Sequence, residues 1–176
     1  MSSSSSTRYA STELRLRTVG GAVAVQVWPL LALAGLLLGA ALLWRVRSGD
    51  GVPAAMAWLL LAKPAALGLV APFVLHECAH ALVLKRVRTV THLILERTAW
   101  RTSLVPEGIL TPRQSAAVAL AGPLSCAAVG AVLHLTALDR PLSWWYLAHL
   151  VLLLPPFGDG RALWQALRAP LIPPPC

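Results

Sequence analysis

The sequence predicts an all-α polytopic membrane protein of about four transmembrane helices, with a short β-rich loop after the second. Three observations predict it. Hydrophobic residues make up 57% of the 176 residues and charged residues only 12%, about half the charged share of an ordinary soluble domain, and the mean hydropathy is +0.67. The apolar residues gather in long uncharged runs, as in chains that cross a bilayer. The basic residues flank those runs, so the net charge of +8 reads as membrane topology and excludes a nucleic-acid partner. The three cysteines, Cys78, Cys126 and Cys176, stand at no disulfide or zinc-finger spacing.

Residues 1–18 open with five serines and carry three arginines, which predicts a disordered basic tail. Residues 19–169 form a single membrane domain. Val19 to Trp44 is uncharged and long enough to span, so 19–44 is the first helix. After the polar loop Ser48-Gly-Asp-Gly51, residues 53–62 read as an interfacial or partly inserted piece. Lys63-Pro64 ends that piece. Pro64 then starts a second span, 64–84, in the first turn, where its missing N–H does no harm. The loop that follows holds two runs rich in β-branched and large apolar residues, Thr89–Leu95 and Thr98–Leu104, which predict two short strands. Thr111 is the expected N-cap and Pro112 the first residue of a third span, 112–138. Trp144, Trp145 and Tyr146 open a fourth, 142–164, as an interfacial aromatic belt. It is interrupted by Pro155-Pro-Phe-Gly-Asp-Gly160, and a proline-rich tail, 170–176, closes the chain.

Placing the 85–113 loop on the cytoplasmic side puts eleven of the fifteen lysines and arginines there, which sets both termini inside. Helical rise then fixes depth. His76 to His80 lie about 18–24 Å below Pro64, Asp159 ends a descent of about 20 Å from Leu142, and Gly122-Pro123 lies about 15 Å above the inner end of its helix. In a core about 30 Å thick these residues share one plane. His134 and His149 fall in the outer halves of their helices, above that plane, and read as packing or hydrogen-bonding residues.

The chemistry gathers at His76-Glu-Cys-Ala-His80. Histidines at i and i+4 project from one helix face about 6 Å apart, a spacing that suits two ligands of one tetrahedral metal ion, with Glu77 beside them. A carboxylate at bilayer depth costs about 2.5–3.5 kcal/mol on insertion scales, and a divalent cation offsets that cost. Of the acidic residues, only Glu77 and Asp159 sit in membrane-embedded stretches. Asp159 as third ligand would leave a fourth position open for water, the pattern of catalytic rather than structural zinc. The plainer alternative is that Asp159 caps a helix and the histidines only pack. Gly122, Pro123 and Gly160 are candidates for substrate binding or core packing.

The chain resembles the site-2 protease family of intramembrane metalloproteases. The resemblance rests on Phe73-Val-Leu-His-Glu-Cys-Ala-His-Ala-Leu82, Ala119-Leu-Ala-Gly-Pro123 and Leu153-Leu-Pro-Pro-Phe-Gly-Asp-Gly-Arg-Ala-Leu163. It implies a three-helix catalytic core, one Zn2+ held by His76, His80 and Asp159, and Glu77 as general base. It also implies that loop 85–110 receives an unwound substrate by strand addition. The implied partners are a transmembrane protein substrate and the lipid bilayer; no PDZ-type domain fits in the length, so that substrate filter is either absent or supplied by a regulatory membrane partner. The implied location is a bacterial plasma membrane. The chain departs from the family's last motif: Leu152 stands at the asparagine place, Gly158 at the leucine and Arg161 at the second glycine, which bears on substrate contact more than on metal binding. The sequence thus predicts an intramembrane zinc endopeptidase. A catalytically silent scaffold or metal-binding relative is the alternative, and a metal or proton transporter, disfavoured by the lack of repeats, the third reading.

Overall fold

The apolar runs fold as helices because a backbone in lipid must satisfy its own hydrogen bonds. The computed structural model describes residues 5–98 and 102–169; the expected proline-rich tail, 170–176, lies outside them. The helices are α1 (Leu16–Gln26), α2 (Trp28–Ser48), α3 (Val52–Ala57), α4 (Ala71–Lys85), α5 (Pro112–Leu135), α6 (Arg140–Leu147) and α7 (Gly158–Arg168). Among the described residues, three helices are long and apolar enough to cross a membrane: Trp28–Ser48, a continuous Val52–Lys85, and Pro112–Leu135. On α2, Leu36 is 73% and Leu43 68% exposed. A leucine face that open is an anomaly in water and the normal lipid-facing surface of a membrane helix.

The first expected span, 19–44, is two helices. Val27 leaves helical geometry (φ −105°, ψ 13°) and Pro29 stands in the first turn of α2. A proline has no N–H for the i−4 bond and its ring crowds that carbonyl, so it is best tolerated in a first turn, and an apolar run that looks continuous breaks just before it. The second span errs in the opposite sense: Lys63-Pro64 does not divide it. The backbone passes from α3 to α4 through two π-helical stretches, Trp58–Ala62 and Pro64–Val70, and Lys63 stays helical (φ −65°, ψ −51°). Residues 53–62 are therefore the first part of one 34-residue helix. Widened turns of this kind let a helix carry a local irregularity without ending.

The third span starts as expected. Thr111 Oγ1 accepts from Gln114 N–H (3.3 Å) and Gln114 Oε1 accepts from Thr111 N–H (2.9 Å), a reciprocal cap. It stops at Leu135, short of 138. The expected fourth span, 142–164, is three short pieces: α6 running directly into a 3₁₀ stretch (Ala148–Leu153), and α7 beyond the predicted proline interruption.

The β-rich region is a three-stranded antiparallel sheet of order β1-β2-β3, with β1 Ser5–Ala10, β2 His92–Arg97 and β3 Thr102–Glu107. β2 and β3 begin a few residues later than the two expected strands. The strand β1 contradicts the disordered tail expected at 1–18. Its register pairs Tyr9 with Leu93 and Arg8 with Ile94, and Arg8 Nε donates to Glu107 Oε2 (2.8 Å). The backbone ladder is indifferent to the polar side chains that made this segment look unstructured. On β2, Leu93 (0% exposed) and Leu95 alternate with open residues, as period-2 geometry requires. Leu93 closes a core with Leu14, Val19, Ala81 and Leu84, where α1, α4 and the sheet meet. α5 runs centrally and touches α4, α6 and α7.

Candidate metal centre

α4 places His76 and His80 one turn apart, with ring centroids 4.5 Å apart and nearly perpendicular planes. Both are buried. α5 crosses directly beneath them. A Cβ built on Gly122 would lie 2.6 Å from His80 Nε2 and 2.7 Å from His76 Nδ1, so only glycine lets α5 approach this closely. His80 Nδ1 lies 2.7 Å from the Val118 carbonyl of α5. A carbonyl can only accept, so Nδ1 carries the proton, and a neutral His80 then presents a bare lone pair at Nε2.

The third group arrives on α7. Leu154 and Phe157 are extended (φ −73°, ψ 147° and φ −91°, ψ 160°), as residues before and within a proline corner tend to be. This turn delivers Asp159 to the first turn of α7. Gly160 is buried against the Leu154 carbonyl, where a Cβ would overlap the backbone. Asp159 Oδ2 lies 3.0 Å from His76 Nε2 and Oδ1 lies 3.4 Å from His80 Nε2. Asp159 stands in the first turn of α7, whose N-cap is Phe157, and its carboxylate meets both imidazoles. His76 Nε2 and His80 Nε2 are 2.9 Å apart, and one ligand atom from each of the three residues lies within 4.8 Å of the others.

This donor set fits a metal ion. A proton on His76 Nε2 can hold the three groups together, and a cation in its place would take a lone pair from each of them. The three groups come from two helices far apart in sequence, and two nitrogens with one oxygen suit a borderline ion such as Zn2+. A buried His76/His80/Asp159 group that could bind a metal ion is thus present, as the sequence led us to expect.

Glu77 is half-buried on the same turn of α4 and lines cavities on both sides of Asp159. The larger has a volume of about 430 Å³ and is walled by Phe73, His76, Leu152, Phe157 and Asp159, with Thr102 and Ser103 of β3 facing them. Gly122, Pro123 and Gly160 are all buried. Leu152 brings an apolar wall to the larger cavity.

Three features escaped sequence reasoning. Gln26 Oε1, at the end of α1, accepts from Thr102 Oγ1 (2.5 Å) at the rim of the larger cavity; the signal was there, since Gln26 is the one amide in the Val19–Trp44 run. The Val118 carbonyl that orients His80 is backbone and leaves no mark in sequence. His149 is the third. Its ring lies 5.6 Å from that of His76 and 4.8 Å from that of Phe73, beside the site rather than well above it. His134 does behave as expected: it packs on Trp144 and lies 3.4 Å from Ser143 Oγ.

No protein-family model matches this chain, and no curated protein or solved structure matches it either.

Proposed function

We propose that this chain is a zinc-dependent intramembrane endopeptidase of the site-2 protease kind, which cleaves a transmembrane segment of a membrane-protein substrate. The observation that carries the reading is the convergence of His76, His80 and Asp159 from α4 and α7 on one buried point, with Glu77 beside it on a cavity of about 430 Å³. The proposed arrangement has four crossings, the fourth being the broken α6–α7 segment, with both termini cytoplasmic in a bacterial plasma membrane.

His76, His80 and Asp159 would hold the ion. Zinc, when bound, supplies a Lewis acid that acidifies water and polarises a carbonyl. Glu77 takes the proton from the attacking water and delivers it to the leaving amine. Phe73, Leu152 and Phe157 line the cavity with apolar surface that limits competing water. The substrate must arrive unwound, because a helix shields its carbonyls. Thr102 and Ser103 of the edge strand β3 border the cavity, where an extended segment would add as a further strand. A second reading, a catalytically silent membrane scaffold that binds a partner or metal without turnover, draws its support from Leu152 at the cavity wall.

The test is zinc per chain, together with cleavage of a tethered transmembrane reporter. We expect about one zinc in wild type and in Glu77→Gln, loss in His76→Ala and Asp159→Asn, and cleavage in wild type alone. Zinc retained without cleavage of any reporter favours the scaffold. A folded wild-type chain that takes up no zinc overturns the metalloprotease.

A further inference from the structure

Two buried nitrogens among the described residues have no hydrogen-bond partner within the protein: His76 Nδ1 and His149 Nε2. They belong to rings whose centroids are 5.6 Å apart. His149 is 6% exposed, and its Nδ1 lies 3.1 Å from the Trp145 carbonyl. Because that carbonyl only accepts, Nδ1 holds the proton, and Nε2 of the neutral ring is an acceptor with nothing to accept. His76 is the complement. If its Nε2 gives a lone pair to the metal, its Nδ1 must carry a hydrogen, and it becomes a donor with nothing to receive it. A metal-ligating histidine almost always donates its other ring N–H to an acceptor that fixes its tautomer and orientation.

We infer that His149 is a positioning residue of the metal centre: its Nε2 receives the His76 Nδ1–H through one bridging water, so that His76 Nε2 stays bare and aimed at the metal. A single water can relay such a bond with little loss. The Trp145 carbonyl fixes His149, and His149 fixes His76. His80 has an equivalent device in the Val118 carbonyl, so both imidazole ligands are held through their second nitrogen. This inference rests on the proposed metal site.

The experiment uses the full-length, detergent-purified chain, with zinc affinity measured by chelator competition and the ligand field read from the visible spectrum of the Co2+-substituted protein. His149→Phe keeps a ring on Phe73 and His76 but removes both nitrogens; His149→Gln keeps an acceptor near the Nε2 position. We expect His149→Phe to weaken zinc about 10- to 100-fold and to shift the cobalt bands, and His149→Gln to restore most of both. Wild-type affinity and spectrum in His149→Phe, or a His149→Gln as weak as His149→Phe, overturns the role of His149 and leaves the metal site standing. Failure of the wild type itself to bind either ion overturns both. Should His149→Phe not fold, the ¹⁵N ring shifts of histidine-labelled, zinc-loaded wild type decide: protonated Nδ1 and bare Nε2 at His149 support the inference, and protonated Nε2 refutes it.

Discussion

Gly122→Ala is the sharpest perturbation of this site that leaves every proposed ligand in place. The added Cβ would lie 2.6 Å from His80 Nε2 and 2.7 Å from both Cε1 and Nδ1 of His76, whereas ordinary contact begins near 3.4 Å. Something must therefore move by about 0.8 Å. The imidazoles cannot swing aside freely: His80 is held by the Val118 carbonyl, and the two rings pack on each other. Moving α5 instead would disturb its contacts with α4, α6 and α7. Overpacking of this kind costs about 1–3 kcal/mol of stability. A misplacement approaching 1 Å of a functional group can lower the rate about 100-fold. We expect Gly122→Ala to unfold at lower temperature in detergent, to bind zinc more weakly and to lose most cleavage. The control is Gly39→Ala on α2, where an added Cβ meets nothing within 4 Å. The assay pairs a thermal melt with chelator-competition affinity. Wild-type affinity and melting in Gly122→Ala would refute the claim that α5 holds the histidines in place.

Three other perturbations separate the site from its supports. Lys63 pairs with Asp139, and with the Leu142 N–H it holds the Asp139 carboxyl below the usual carboxylate range. That depressed value makes the pair's contribution complete at neutral pH and lost as pH falls below the ordinary carboxylate range; Asp139→Asn should flatten that part of a melting-temperature profile, and an unchanged profile would remove the pair from the account. Gln26→Leu leaves the Thr102 hydroxyl without its acceptor, which we expect to lower stability by about 1 kcal/mol while zinc content stays at the wild-type level; loss of zinc would show that α1 shapes the ligands directly. Deleting residues 1–10 removes β1, and amide exchange in β2 should quicken with the metal site unchanged; unaltered β2 exchange would mean that the strand adds nothing to the sheet.

What was legible in this sequence follows from scarcity. In an apolar chain each polar residue at membrane depth is conspicuous, and His76, His80, Glu77 and Asp159 could be picked out because so little competes with them. The i,i+4 spacing is a local rule, and the structure brings the two histidines together as that rule demands. Gly122 was legible for the same reason, since a small residue at ligand depth signals close approach. The parts that were not legible depend on partners remote in sequence or on the backbone. β1 finds β2 more than eighty residues away, through bonds that any side chain permits. Pro29 ends one helix while Pro64 does not, because a proline's effect depends on whether neighbouring turns can widen around it. His149 belongs to the same class. As a lone histidine in an apolar segment it reads as packing, and only the pairing of two orphan nitrogens across two helices gives it a function. The groups that orient metal ligands are therefore where sequence reasoning is weakest: they are chosen by the geometry of the ligands, and that geometry is set by the fold as a whole.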